Sequence, residues 1–249
     1  SDPVPEYPPP MRRSSRTSSA KQRVLLGVVF LTAVVGSLSF SADWYTPTYA
    51  DGSTGILANV NSLNVSVAPR GSATTTDGTT YFAADDGTNG FELWRTDGTA
   101  PGTSLVVDIN PGDESWGGHR SSYPHDFVAV GNWVYFAAYD TVHGDELWRS
   151  DGTAAGTMII KDIYPGFSGD YPWSSYPNSL VRIGSSVYFS AQDATNGTEL
   201  WRTDGTEAGT TLVKDIFVGG NSDYAYSSWP QDFTAFGRYL FFRADDGVH

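Results

Sequence analysis

Oxygen-bearing side chains recur along this chain at a spacing that suits either a metal ion or a tight turn. The pattern Asp-x-x-[Asn/His]-Gly-x-Glu occurs at 86–92, 140–146 and 193–199. Hard cations such as Ca²⁺ take about six to eight oxygen ligands, and the candidate calcium ligands are Asp86, Asn89, Asp140, Asp193 and Asn196. A turn in which Asp accepts backbone N–H groups and Gly adopts a positive φ explains the same residues without a metal, and we prefer it. Apart from this candidate calcium ion, no cofactor is expected.

Aromatic side chains concentrate in three segments, 110–120, 164–173 and 217–226, where the chain is least repetitive. The candidate ligand-binding residues in them are Trp116, Tyr164, Phe167, Tyr171, Trp173, Tyr224 and Tyr226. Aromatic rings beside acidic groups suit a polysaccharide or protein ligand, because rings stack and carboxylates accept hydroxyl hydrogen bonds. The alternative is that these rings fold back over the ends of the repeats as a lid on the core. The sequence leaves both interpretations open.

Catalytic chemistry has less support. A glycoside hydrolase needs two carboxylates about 5 to 9.5 Å apart. The candidates are Asp113 and Glu114 in one repeat and Asp170 in the next. The sequence contains no Gly-x-Ser-x-Gly, His-Glu-x-x-His or phosphate-binding loop. Its histidines lack metal-ligand spacing and are interpreted as surface residues; they are His119, His125, His143 and His249. We expect a non-catalytic protein, with a carbohydrate-active enzyme, a glycoside hydrolase or lyase, as the alternative.

The elements that position these residues are repeated strands. The sequence Glu-Leu-Trp-Arg-[Thr/Ser]-Asp-Gly-Thr-x-x-Gly-Thr starts at Glu92, Glu146 and Glu199, a period of about 53 residues. In the second copy, alternation and turn residues predict strands at 127–130, 133–139, 146–150 and 158–163. Short connections make each unit an antiparallel meander, and four-stranded meanders of this length are typical of β-propeller blades. We expect an all-β protein, an open arc of about three full blades plus partial ones.

Two consequences of this arrangement concern the repeated and the unrepeated residues. Trp94, Trp148 and Trp201 occupy the same strand position in every copy, which predicts packing between blades. In a four-stranded meander, the connection from the fourth strand to the next blade emerges at the same end as the connection from the second strand to the third. We therefore expect the aromatic segments and the Asp-x-x-[Asn/His]-Gly turns to share one face.

The repeats also divide the chain into segments. Residues 1–10 precede the first Met and are expected to be a disordered upstream extension. A basic stretch followed by an uncharged apolar run within 11–41 predicts a signal peptide or an N-terminal anchor. The remaining segments are a linker with a degenerate outer strand of a closing blade at 42–68, repeats at 69–122, 123–175 and 176–228, and a truncated fourth repeat at 229–249.

Composition narrows the class of partner. With 28 Asp and Glu against 15 Lys and Arg, the formal net charge is −13, which excludes nucleic acid and, beyond the N-terminal segment, membranes as partners. The chain has no cysteine, which excludes disulfides and thiol chemistry. We expect a secreted or cell-surface protein that contacts extracellular polysaccharide or protein. The sequence leaves its oligomeric state open.

The repeat resembles a known family. Its pattern, Glu-Leu-Trp-Arg-[Thr/Ser]-Asp-Gly-Thr preceded by Asp-x-x-[Asn/His]-Gly and followed by an apolar strand ending in Asp-Ile, is similar to the bacterial ELWxxDGT-repeat family. Some members of that family are labelled hyalin-like, and the similarity covers roughly Ile56 to His249. The resemblance implies a secreted or surface-displayed repeat protein of β-propeller type, with no catalytic residues to carry over. Because the strong signals all repeat, we expect it to be a scaffold for adhesion.

Overall fold

The computed structural model describes residues 71–115, 117–221 and 224–249. The upstream extension, the signal segment and the degenerate strand expected within 1–68 lie outside these ranges, as does Trp116. The chain divides into the units Ser1–Ser41 and Ala42–His249, and the fold below belongs to the second. Every regular element in the described ranges is a β-strand, and none of those residues forms a helix long and apolar enough to span a membrane.

The first two sheets each consist of four consecutive strands in sequence order. Sheet 1 contains β1 (Ser72–Thr74), β2 (Thr80–Asp85), β3 (Phe91–Thr96) and β4 (Ser104–Val107). Sheet 2 contains β5 (His125–Val130), β6 (Trp133–Asp140), β7 (Gly144–Ser150) and β8 (Met158–Lys161). All neighbouring strands pair antiparallel. Each sheet is therefore a meander, as the repeat predicts.

The same arrangement continues after a short ribbon of β9 (Phe167–Ser168) and β10 (Tyr171–Pro172). Sheet 3 contains β11 (Asn178–Ile183), β12 (Ser186–Asp193), β13 (Gly197–Thr203) and β14 (Thr211–Lys214). A two-stranded sheet 4 contains β15 (Gln231–Phe236) and β16 (Tyr239–Arg243). The all-β prediction of propeller-type blades, three complete and one partial, is confirmed for the described residues.

The second strand of each four-stranded sheet is largely buried on both faces, whereas β16 of sheet 4 is largely exposed. In β6, the five residues from Val134 to Ala138 are all buried, although their side chains alternate between the two faces of the sheet. Such burial requires a packing partner on each side, since a sheet with one solvated face would show alternating exposure. Sheet 2 accordingly packs against sheet 1 on one side and sheet 3 on the other.

The hydrophobic cores lie between successive sheets. One core joins residues of sheets 1 and 2: Tyr81, Leu93, Val134, Phe136, Ala138 and Trp148. The other joins sheets 2 and 3: Tyr135, Leu147, Ile160, Ile163, Val187, Phe189, Ala191 and Trp201. Trp148 and Trp201 are 9% and 6% exposed, which confirms their predicted packing between blades. The prediction is not confirmed for Trp94, which is half-buried and belongs to neither core. Burying a ring of this size stabilises the folded state by about 2 to 3 kcal/mol.

The Asp-Gly-Thr turns connect the third and fourth strands, and they also join neighbouring sheets. Within the turn, Asp151 Oδ1 accepts hydrogen bonds from the N–H and the hydroxyl of Thr153, at 2.9 and 2.7 Å. Across sheets, Arg95 Nη1 donates to the carbonyl of Gly152 at 2.9 Å. A Cβ at Gly152 would also collide with the Tyr81 hydroxyl. The repeated arginine thus has a structural role at the blade junction.

Candidate functional site

The repeated glutamates are buried structural groups. Glu146 is fully buried and accepts hydrogen bonds from the Ser175 N–H at 2.9 Å, the Ser175 hydroxyl at 2.6 Å and the Ile163 N–H at 3.1 Å. We call this set a glutamate latch, because it ties the end of β8 to the chain that enters sheet 3. Equivalent latches are formed by Glu92 with Ile109 and Ser122, and by Glu199 with Ile216 and Ser228.

Burial opposes the negative charge in two of these latches. It raises the pKa of Glu92 to about 7 and that of Glu146 to about 8, although the hydrogen bonds each accepts favour the carboxylate. A fully buried carboxyl group that already accepts three hydrogen bonds cannot contact a ligand at the surface. The glutamates that end the Asp-x-x-[Asn/His]-Gly-x-Glu pattern are therefore part of the scaffold.

The five candidate calcium ligands take part in turn hydrogen bonds. Asp86 Oδ1 accepts the N–H groups of Thr88 and Asn89, each at 2.8 Å, and its Oδ2 accepts Asn89 Nδ2 at 2.7 Å. The carboxylates of Asp140 and Asp193 form equivalent hydrogen bonds with the residues that follow them in the turn, and the partners of Asp193 include Asn196. Among the described residues, no group of three or more His, Asp or Glu side chains could hold a metal ion. These contacts are the ones that the turn interpretation requires.

The Asp-containing turns and the aromatic segments meet at one end of each sheet. A Cβ on Gly144 would collide with the Trp173 carbonyl, and the N–H of Asp145 donates to the Ser174 hydroxyl at 2.9 Å. The same close approach occurs at Gly90 and Gly197. The predicted sharing of one face is confirmed by these contacts, and we call this face the loop face.

The aromatic segments are small β-ribbons, which sequence reasoning did not predict. In each, the residue before the Ser-Ser pair donates its N–H to a glycine carbonyl at 2.9 Å: Arg120 to Gly112, Trp173 to Gly166, and Tyr226 to Gly219. At the base of the second ribbon the rings of Tyr164 and Trp173 pack with centroids 5.2 Å apart. In the third, Phe217 and Tyr226 pack at 4.8 Å.

Some of the candidate aromatic residues therefore form a lid on the ends of the sheets, and others are exposed as a ligand-binding surface would require. Tyr164, Trp173 and Tyr226 pack at the ribbon bases, as the lid alternative expects, although Trp173 and Tyr226 stay 40% and 37% exposed. Phe167, Tyr171 and Tyr224 are exposed instead, at 53%, 75% and 65%. The described part of the loop face thus carries three candidate binding residues that are available to a ligand.

A further set of exposed aromatic residues was missed. Tyr123, Tyr176 and Trp229 each follow a Ser-Ser pair and precede a proline, and their φ angles of 49°, 49° and 48° are left-handed. Such a conformation costs a non-glycine residue about 1 to 3 kcal/mol. It is held by the latch serines and by N–H bonds to the preceding sheet, such as Tyr176 to the Asp145 carbonyl at 3.2 Å. The repeated Ser-Ser-[Tyr/Trp]-Pro was the signal that could have identified them.

His125 is a second residue that sequence reasoning misjudged. Its ring lies between two carboxylates, with Nδ1 2.9 Å from Asp126 and Nε2 3.3 Å from Asp145, and its side chain is only 30% exposed. The interpretation as an ordinary surface histidine is wrong for this residue. Hydrogen bonds to Asp126 and then to Asp145 raise the pKa of His125 to about 9, so it is a cation at neutral pH. It is therefore unsuited to act as a general base.

A cavity of about 320 Å³ lies beside His125 on the loop face. Its walls come from the ribbon before sheet 2, from β5 to β7 and from the entry into sheet 3: Asn110, Glu114, Ser121, Ser122, Tyr123, His125, Tyr139, Asp145, Ser174 and Tyr176. Of the acids proposed for catalysis, Glu114 lines this cavity. Asp113 pairs with His119 at 3.0 Å, and Asp170 is exposed at the tip of the β9–β10 ribbon.

No protein-family model and no curated protein matches this chain. Similar solved structures include a puromycin hydrolase S511A mutant complexed with PGG (14% identity, TM-score 0.43, 70% of this chain and 25% of that one). TolB from Acinetobacter baumannii is 14% identical, with a TM-score of 0.40 over 80% of this chain and 45% of that one. The AtxE2 isopeptidase S527A variant with Astexin3-dC4 bound is 13% identical, with a TM-score of 0.37 over 73% and 25%. The chain thus spans between 25% and 45% of the length of these three structures.

Proposed function

We propose that this chain is a non-catalytic, secreted or cell-surface repeat scaffold of the ELWxxDGT type that mediates adhesion by binding polysaccharide on its loop face. The observation that carries this proposal is the set of exposed aromatic rings on that face. Phe167 and Tyr171 on the ribbon before sheet 3, and Tyr176 at its base, are each more than half exposed. Their rings can stack against the apolar faces of sugar rings.

The use of the repeated residues supports a scaffold over an enzyme. The tryptophans at positions 148 and 201 pack between sheets, the arginine at position 95 binds a neighbouring turn, and the glutamates close the latches. The most regular chemistry in the sequence is therefore used to build and join blades. Ligand recognition is then left to the residues that project from the loop face.

The charge of the protein supports a neutral or cationic polymer. The formal net charge is −13, and an anionic polysaccharide would be repelled before its rings reached the aromatic side chains. Carboxylates on the loop face, such as Asp170 and Glu114, can accept hydrogen bonds from sugar hydroxyls. We therefore expect selectivity against sulfated and uronic acid polymers.

The proposal is tested with a glycan array and with titration of the polysaccharides that bind. Replacing Tyr171 and Tyr176 together by Ala is expected to weaken binding at least tenfold, because each stacked ring contributes about 1 kcal/mol. The matched control is Phe236→Ala, which removes a 73% exposed ring from the turn at the opposite end of its sheet. Equal loss in both variants, or no glycan binding at all, would contradict the proposal.

The same assay addresses the enzyme alternative. If incubation with a bound polysaccharide releases shorter oligosaccharides, the chain is a glycoside hydrolase or lyase, and the non-catalytic assignment is wrong. Substitution of Glu114 and Asp113 by their amides would then test whether the acids of the first ribbon are required.

A further inference from the structure

A tyrosine of the second strand and an arginine of the third strand hold the Asp-Gly-Thr turn of the following sheet. In sheet 1, Arg95 Nη1 donates to the Gly152 carbonyl at 2.9 Å, and a Cβ placed on Gly152 would meet the Tyr81 hydroxyl. In sheet 2, the Tyr135 hydroxyl lies in the same way against Gly205. We call each such pair of side chains a turn socket. The two sockets that contact a turn are Tyr81 with Arg95 and Tyr135 with Arg149.

Sheet 3 carries a third turn socket, formed by Tyr188 and Arg202 at the equivalent positions. Residues 207–249 contain no further Asp-Gly-Thr sequence, so no such turn of the described chain follows sheet 3. The side chains of this socket are correspondingly open. Tyr81 and Tyr135 are 2% and 4% exposed, whereas Tyr188 is half-buried and Arg202 is exposed.

The apolar surface beside this socket is also uncovered. Val213 in β14 is 44% exposed, whereas Ile160, its equivalent in β8, is 6% exposed. Ile160 is covered because it lies in one core with Trp201 from the third strand of the next sheet. In its described residues, sheet 4 has only a first and a second strand and supplies no equivalent of this tryptophan. The outer half of sheet 3 therefore presents a tyrosine, a valine and an arginine where such a strand would pack.

The strand β16 has a free edge next to this surface. In each four-stranded sheet the second strand pairs on both sides, with the first strand and with the third. Among the described residues, β16 pairs only with β15. A free edge accepts an added strand, since its outward N–H and C=O groups have no strand partner. In sheets 1 to 3 the third strand leads directly into the Asp-Gly-Thr turn, so one continuous segment fits both the edge and the socket.

We propose that sheets 3 and 4 bind, in trans, a strand–turn–strand segment of another polypeptide that carries the sequence Glu-Leu-Trp-Arg-[Thr/Ser]-Asp-Gly-Thr. The first strand of the segment pairs with β16, its tryptophan packs on Tyr188 and Val213, and its turn accepts a hydrogen bond from Arg202. The partner is defined by contacts that the chain already makes twice, between sheets 1 and 2 and between sheets 2 and 3. This association is independent of the proposed polysaccharide binding and provides a way to join scaffold chains.

The test is fluorescence anisotropy of a labelled synthetic peptide that copies residues 144–163, titrated with the full chain. The peptide is expected to bind saturably, and a peptide of the same composition in scrambled order is expected not to bind. Arg202→Ala removes a hydrogen bond from a charged donor, so it should weaken binding about tenfold to a hundredfold. Val213→Asp places a charge beneath the tryptophan of the peptide and should weaken binding by a similar factor.

The matched control is Arg182→Ala, which removes an exposed arginine of β11 whose Nε donates to the Gly184 carbonyl at 2.8 Å. This arginine belongs to no turn socket, so the affinity for the peptide should not change. Near-ultraviolet circular dichroism shows whether each variant is folded. Hydrogen exchange locates the bound peptide, because amides of β16 should gain protection while those of β4, an edge strand of sheet 1, should not.

Binding that is lost in Arg202→Ala and in Val213→Asp but kept in Arg182→Ala, with protection gained at β16, would support the inference. Absence of binding, or equal binding of the scrambled peptide, would overturn it. So would an affinity that is unchanged in either folded variant of sheet 3, or protection gained at β4 in place of β16.

Discussion

Removing the carboxylate of Glu146 is expected to destabilise the junction between sheets 2 and 3. In Glu146→Ala, the N–H groups of Ile163 and Ser175 lose the acceptor that lies 3.1 and 2.9 Å away. The Ser175 hydroxyl can rotate towards another acceptor, but the two backbone groups are fixed in a buried position. The variant therefore leaves two unsatisfied donors in the protein interior.

The magnitude follows from these two donors and from the space that is left. Each unsatisfied buried N–H costs about 1 to 3 kcal/mol, and loss of the side-chain methylene groups adds a smaller packing term. We expect a total of about 4 kcal/mol, a large part of the free energy of unfolding of an ordinary domain. Glu146→Gln keeps one acceptor oxygen, so it strands one N–H group and costs about half as much.

Urea unfolding, followed by tryptophan fluorescence, measures the change in the free energy of unfolding. Native-state hydrogen exchange adds a local readout, because the amides of Ile163 and Ser175 should lose protection more than those of β6. Glu207→Ala, which removes an exposed glutamate, serves as the control and is expected to change stability by no more than about 0.5 kcal/mol. A cost below about 1 kcal/mol in Glu146→Ala, with both amides still protected, would refute the latch as a stabilising element.

Four further predictions test other parts of the structure. The raised pKa of His125 stabilises the folded state fully below the unfolded pKa of about 6.5, and this stabilisation is lost as pH rises through about 9. The melting temperature should therefore fall between these pH values. It should fall less steeply in His125→Asn. The raised pKa values of Glu92 and Glu146 affect stability in the same direction as that of His125: their contribution is lost as pH rises from 4.5 to about 7 or 8. A melting temperature that rises from pH 5 to 9 would contradict the raised pKa values of the histidine and of the glutamates. Gly144→Ala should cost more than Gly184→Ala, although both glycines have positive φ, because only the first Cβ would strike a backbone carbonyl; similar urea midpoints would refute this. A chelator should leave the melting temperature unchanged if Asp140 only accepts hydrogen bonds within its turn. A melting temperature that rises on addition of calcium would instead support the metal interpretation.

The repeated scaffold shows how one sequence pattern serves several contacts. Glu146, Trp148 and Arg149 are adjacent or nearly so in β7, yet the glutamate closes a latch, the tryptophan packs towards sheet 1, and the arginine lies near the Gly205 turn of sheet 3. Alternate residues of a strand point to opposite faces, and a blade with neighbours on both sides uses both faces. The repeated residues therefore form the contacts between neighbouring blades as well as the contacts within one blade.

The strands and turns followed from the sequence because their causes are local. Alternation and turn residues predicted strands at 127–130 and 133–139, and the structure has them at His125–Val130 and Trp133–Asp140. The Asp turns were also predictable, since Asp86 bonds groups two and three residues away. The shared loop face followed from connectivity alone, because an antiparallel meander fixes the end at which each connection emerges.

The roles of single polar residues were decided only by the tertiary structure. Glu146 was grouped with a metal-binding pattern because its true partner, Ser175, is 29 residues away. His125 looked isolated because Asp145 lies 20 residues further along the chain. The left-handed φ of Tyr176 and the cavity beside Asn110 depend on chain segments packed against them from neighbouring sheets. The sequence by itself therefore determined the blade and its period, which arise from local spacing, while burial, protonation and the open cavity arose from contacts between distant segments.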